Sequence, residues 1–80
     1  MNGQKLKGFR VEKGKTQRDM GDMIEKSFDS YAKKERGEVE FTLDETAVIA
    51  IETGMSFEEF NAIFYDGRLP YRKMEERKLL

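Results

Sequence analysis

The stretch from Thr16 to Gly37, TQRDMGDMIEKSFDSYAKKERG, constrains the fold more than any other part of this chain. Thr16 is a helix N-cap by residue type and Ser27 is a second one. The interval between them holds about two and a half helical turns plus a bend of three or four residues. Met20, Met23 and Ile24 recur at i, i+3, i+4 on the first helical pattern, while Tyr31 and Ala32 supply the inward side of the second. Two short amphipathic helices joined by so tight a bend predict a helix-turn-helix whose second member, Phe28 to Arg36, is basic on its outer side.

The same punctuation continues on both sides. Leu6, Phe9 and Arg10 lie on adjacent turns of a first helix, Gln4 to Lys13, with Gly14 as its stop. The second helix runs from Gln17 to Ile24. After a loop from Gly37 to Phe41, Thr42 and Glu45 make a capping box for a fourth helix, Leu43 to Thr53, which Gly54 ends. Leu43, Ala47 and Ala50 form its expected inward stripe, and Val48 with Ile51 lie on a neighbouring face. Ser56 caps a fifth helix, Phe57 to Tyr65, in which Phe57, Phe60 and Phe64 repeat at helical spacing. No strand pattern stands out. The expectation is an all-α, compact five-helix bundle forming one domain over residues 1–69. A charged tail over 70–80 reads equally well as a short helix or as disorder.

Composition narrows the function classes. With 80 residues and 38% hydrophobic content, one small core is all the chain can bury. It has no cysteine and no histidine, so disulfides, thiolate metal sites and the commonest metal ligand and general base are all missing. No metal and no cofactor are expected. Gly3, Gly8, Gly14 and Gly21 are too dispersed to cradle a phosphate. Asp44/Glu45 and Glu58/Glu59 occupy first helical turns, where the macrodipole accounts for them without catalysis. An enzyme is therefore not expected, nor a small-molecule substrate. No run approaches the roughly 18 apolar residues of a membrane span, and MNGQKLKG lacks a signal's apolar stretch. The expected location is the cytoplasm, in a bacterium the cytoplasm or nucleoid.

The net charge is only -1 and the pI about 5.5, values uncommon for an isolated DNA-binding domain, but the charge is segregated. Residues 1–37 carry ten Lys/Arg against six Asp/Glu, whereas residues 38–69 carry one against eight. The positive field thus falls on the half that holds the second helix of the pair.

These residues resemble the lambda-type repressor and Cro family of helix-turn-helix domains, found in phages, mobile elements and bacterial regulators. The carriers are LKGFRVEKGKTQRDM, the Ser27 cap with Tyr31 four residues on, KKERGE at 33–38, and the FTLDE, IA and TGMSFEEF segments; together they span Leu6 to Leu69. The resemblance implies a transcriptional regulator, of repressor or Cro type, that binds operator DNA as a homodimer with helix 28–36 in the major groove. It implies that Gln17 contacts a phosphate and that Phe28, Asp29, Ser30 and Lys33 reach base edges or the backbone beside them. Lys33 would donate to guanine, Asp29 accept from a cytosine amino group, Ser30 tolerate either, and Phe28 press on a thymine methyl. Arg10, Lys26, Lys34 and Arg36 are the phosphate candidates. For Arg10 an alternative is a pair with Glu35 that braces helices one and three, and for Lys33 and Lys34 it is a solvated helix face.

Two departures matter. Where the family's turn has Gly and then an aliphatic residue, this chain has Glu25 and Lys26, so a non-glycine residue is expected in left-handed geometry at a cost of about 1 kcal/mol. Phe28 and Asp29 are unusual on a DNA surface, and Phe28 has the alternative of folding back over the end of helix two. Val48, Ile51 and Phe57 are candidates for the dimer or partner interface, the alternative being a broadly buried fourth helix. A competing function is a helix-turn-helix used for protein contact, as in an antirepressor or antitoxin-like partner with weak DNA affinity.

Overall fold

A computed structural model describes residues 1–70, and the tail expected over 70–80 lies outside them except for Pro70. Five α-helices follow one another: α1 Gly3–Glu12, α2 Gln17–Met23, α3 Phe28–Glu35, α4 Leu43–Thr53 and α5 Phe57–Phe64. No strand occurs among the described residues. None of the described helices is long and apolar enough to cross a membrane.

Each helix starts where a side chain can satisfy a backbone amide that the helix itself leaves unpaired. Asn2, Thr16, Ser27, Thr42 and Ser56 each accept from the amide three residues on. At Thr16, Thr42 and Ser56 the third residue, Asp19, Glu45 or Glu59, also accepts from the cap's own amide, closing a capping box. Asn2 is the cap the sequence reading missed, and its amide also donates to Ile63 O at 2.7 Å, fastening the start of α1 to α5.

Leu6, Met20, Tyr31 and Ile49 are the large side chains sealed from solvent. Burial of Leu6, Met20 or Ile49 contributes about 1.5–3 kcal/mol each. One cluster gathers Met20, Ile24, Tyr31 and Ile49, the other Leu6, Phe9 and Ile63, and Phe41, Met55 and Phe64 pack against both. Phe41 stands edge-on to Tyr31 and to Phe64, with ring centroids 5.9 and 5.5 Å apart. α2 packs on α3 and α4, and α1 on α3 and α5. Gly3 is needed at the last of these seams but one: a Cβ there would lie 2.3 Å from Glu35 O.

The fourth helix turns a different face inward from the one expected. Leu43 is 71% exposed and Ala47 is exposed, while Glu45, Thr46 and Ile49 are buried. Thr46 and Thr53 can face inward because their hydroxyls donate to Leu43 O at 2.7 Å and Ile49 O at 2.6 Å. In α5 the most buried residue is Ile63, with the phenylalanines only partly covered.

Candidate nucleic-acid interface

The α2–α3 connection is closed by its own backbone. The Glu25 amide donates to Asp22 O at 3.2 Å and the Lys26 amide to Gly21 O at 2.9 Å, the paired bonds of a Schellman motif. That motif puts Glu25 in the left-handed region, at φ 57°, as its position in the sequence implied. Gly21 has a role the sequence reading did not assign. A Cβ there would sit 2.8 Å from Lys26 O and 3.1 Å from Ser27 O, so only glycine lets α2 lie this close to the turn. Ser27 then accepts from the Ser30 amide at 3.1 Å and restarts the helix.

The inner side of α3 is held by two buried ion pairs. Glu35 receives four donors: Arg10 Nε at 2.9 Å and Tyr31 Oη at 2.7 Å on one oxygen, Arg10 Nη2 and Gln17 Nε2 at 3.2 Å on the other. Arg10 Nη1 donates to Lys15 O. Burial pushes the Glu35 carboxyl up, but the Arg10 guanidinium and the Tyr31 and Gln17 donors outweigh it and hold the group below its ordinary range. The Tyr31 hydroxyl is pushed up by burial and by its bond to that carboxylate. Lys34 Nζ lies 2.9 Å from Glu45 Oε1 and donates to Glu40 O at 3.0 Å. Glu45 Oε1 also accepts from the Thr42 amide, so one carboxylate caps α4 and ties it to α3.

Two of the phosphate candidates are thereby corrected. Arg10 and Lys34 are buried and spent on internal partners, so neither presents a charge to an outside ligand. For Arg10 the alternative, a brace to Glu35, is what the structure has. Gln17 is half-buried and directs its amide nitrogen inward to Glu35. No local signal marks Lys34 as the partner of Glu45, because a lysine before a turn ordinarily points into water.

The outer side of α3 presents Phe28, Asp29 and Lys33, with Ser30 half-buried beside them and Lys26 and Arg36 exposed at its two ends. Its charges are paired with one another. Lys33 Nζ lies 3.4 Å from Asp29 Oδ2 one turn away, and Arg36 Nε donates to Glu38. That bond raises the Arg36 pKa and lowers that of Glu38. Phe28 is 47% exposed and does not join the core. Its ring lies under the Arg18 guanidinium, 5.9 Å from the centroid, and so bridges α3 to α2 from outside.

Of the three partner candidates, Ile51 is 79% exposed, while Val48 packs against the core and Phe57 is half-buried. Comparison of the chain with protein families, curated proteins and solved structures finds no match.

Proposed function

We propose that this protein is a sequence-specific DNA-binding regulator whose α2–turn–α3 unit is a helix-turn-helix of the lambda repressor type, α3 entering the major groove. The single observation that carries this reading is the division of labour on α3. Its inner residues Tyr31, Lys34 and Glu35 are locked to α1, α2 and α4, while Phe28, Asp29 and Lys33 are left outward on a helix that cannot rotate. A reading helix needs that rigidity, because base contacts are lost when the docking angle wanders. Lys26, Arg36 and Arg18 flank the outward face and suit phosphates; Lys33 and Ser30 suit base edges.

A second reading, protein contact through the same face, is favoured by the Asp29–Lys33 and Arg36–Glu38 pairs, which cancel charge where a phosphate would sit. Selection from a random duplex pool at two salt concentrations separates the two. Recovery of a motif with affinity falling steeply in salt supports DNA reading, since phosphate contacts release counterions; no enrichment at low salt transfers the face to a protein partner.

A further inference from the structure

We infer that the exposed side of α4, with the hollow beside it, docks a cationic amphipathic helix of another protein. Leu43, Ala47 and Ile51 stand at i, i+4 and i+8, forming one exposed apolar ridge about 12 Å long along the helix. Leu43 also belongs to the wall of an open hollow of about 490 Å³, whose apolar lining includes Met1, Val39, Phe41 and Phe64. Met1 and Val39 are themselves 41% and 45% exposed. Ridge and hollow therefore adjoin at Leu43, and exposed apolar surface of this kind marks a partner site on a small chain.

Charge identifies the partner. Residues 38–67 contain no lysine or arginine. On the amino-terminal side the nearest cations are already engaged, Lys34 by Glu45 and Arg36 by Glu38, as is the Met1 ammonium by Asp66; on the carboxy-terminal side the first cation is Arg68, beyond the end of α5. Glu40, Asp44 and Glu52 are exposed on or beside α4, and their carboxylates form no ion pair among the described residues. Free carboxylates around an apolar ridge fit lysines and arginines around a complementary one. A second copy fits badly: a two-fold contact through this face would bring the carboxylates of Glu40, Asp44 and Glu52 from both copies into one interface with no lysine or arginine of residues 38–67 to meet them. An extended peptide also fits badly, because no strand edge among the described residues offers it backbone partners. A helix brings its backbone already satisfied and needs only side-chain contacts. This surface lies outside the outer face of α3, so the inference stands whether or not α3 reads DNA.

The test uses the full chain, isotope-labelled, titrated with a synthetic helical peptide carrying leucines at i, i+3, i+4 and i+7 and lysines elsewhere, and with a twin carrying glutamates for the lysines. Amide shifts confined to Val39, Leu43, Ala47, Ile51 and their neighbours are expected with the lysine peptide alone. The double variants Leu43→Gln/Ile51→Gln and Glu40→Gln/Asp44→Asn change exposed side chains, and each should weaken binding by roughly tenfold while leaving the helical circular dichroism unchanged. Shifts mapping elsewhere, or equal binding of the glutamate twin, overturn the inference. So does a dimer of the free chain that Leu43→Gln/Ile51→Gln dissociates, which makes the occupant a second copy. Cross-peaks from residues 71–80 to the Leu43 and Ile51 methyls in the free chain overturn it too, because the occupant is then the chain's own end.

Discussion

Arg10 grips Glu35 with two nitrogens, Nε at 2.9 Å and Nη2 at 3.2 Å, and so joins α1 to the last residue of α3 across 25 positions of sequence. The grip leaves Glu35 with all its acceptor sites used, and no buried side-chain polar atom among the described residues lacks a partner. A pair of this kind fixes geometry more than it adds net stability.

Removing one partner should therefore be far worse than the pair is good. Arg10→Ala leaves the Glu35 carboxylate buried without its cation, at an expected loss of about 3–5 kcal/mol. A domain of this size has only ~4–12 kcal/mol in total, so the variant should lose about a quarter of its stability or more. Urea denaturation followed by circular dichroism measures the loss; a change within the scatter of surface substitutions would show that Arg10 does not brace the helices.

Acid should act through the same carboxylates. Burial raises the pKa values of Glu35 and Glu45, but their donors outweigh it and hold both below the unfolded-state value of 4.5. Groups lowered in the folded state stabilise it fully above that value, and this contribution is lost as the pH falls through the folded-state values. The melting temperature should be flat from pH 7 to about 5 and fall steadily below 4.5. Glu45→Gln should start lower at pH 7 and lose less on acidification.

At the turn between α2 and α3, Glu25 occupies a left-handed conformation at φ 57° that suits glycine. Glu25→Gly should raise stability by about 0.5–1 kcal/mol, after allowing for glycine's larger freedom in the unfolded chain. For a chain of this length that corresponds to a melting temperature roughly 2–8 °C higher. Glu25→Val should move it the other way.

Two glycines in helices should respond in opposite directions to the same substitution. Gly21→Ala drives a methyl against the Lys26 and Ser27 carbonyls, at 2.8 and 3.1 Å, and should destabilise by about 1–3 kcal/mol. Gly8 lies in the exposed middle of α1 with nothing within 4 Å of a Cβ, so Gly8→Ala should stabilise by about 0.5–1 kcal/mol. Thermal melts of the two single variants compare them directly.

If α3 reads DNA, the Asp29–Lys33 pair restrains it. Asp29→Asn removes a like charge from the phosphate side and frees Lys33, and an exposed pair holds only about 0.2–1 kcal/mol to give up. Affinity for a selected duplex should rise severalfold, with a steeper salt dependence, and Lys33→Ala should lower it by about 1–3 kcal/mol with relaxed preference at one base. A fall in affinity for Asp29→Asn would indicate that Asp29 itself contacts a base.

The helices were legible because their signals are local. A cap needs only a hydroxyl and an amide three residues on, and Thr16, Ser27, Thr42 and Ser56 each supply it within one turn of chain. The left-handed strain at Glu25 was legible for the same reason, since a Schellman turn sets its geometry from neighbouring amides. Which way a helix faces is a different matter. In α4, LDETAVIAIET has apolar residues all round, so spacing alone does not choose a buried side. Tertiary packing chose it: Lys34 draws Glu45 inward, Thr46 and Thr53 satisfy their hydroxyls on their own helix, and Leu43 and Ile51 are left outside. The same held for Lys34, whose charge read as a surface feature until a partner 11 residues away made its burial affordable, and for Arg10 the fold decided between a phosphate contact and the brace to Glu35, 25 residues away, that the sequence left open. Sequence determined where helices begin, end and turn, because those interactions close within a few residues. Tertiary structure decided which charges are buried and which apolar side chains are exposed, because that choice depends on partners the chain brings together only on folding.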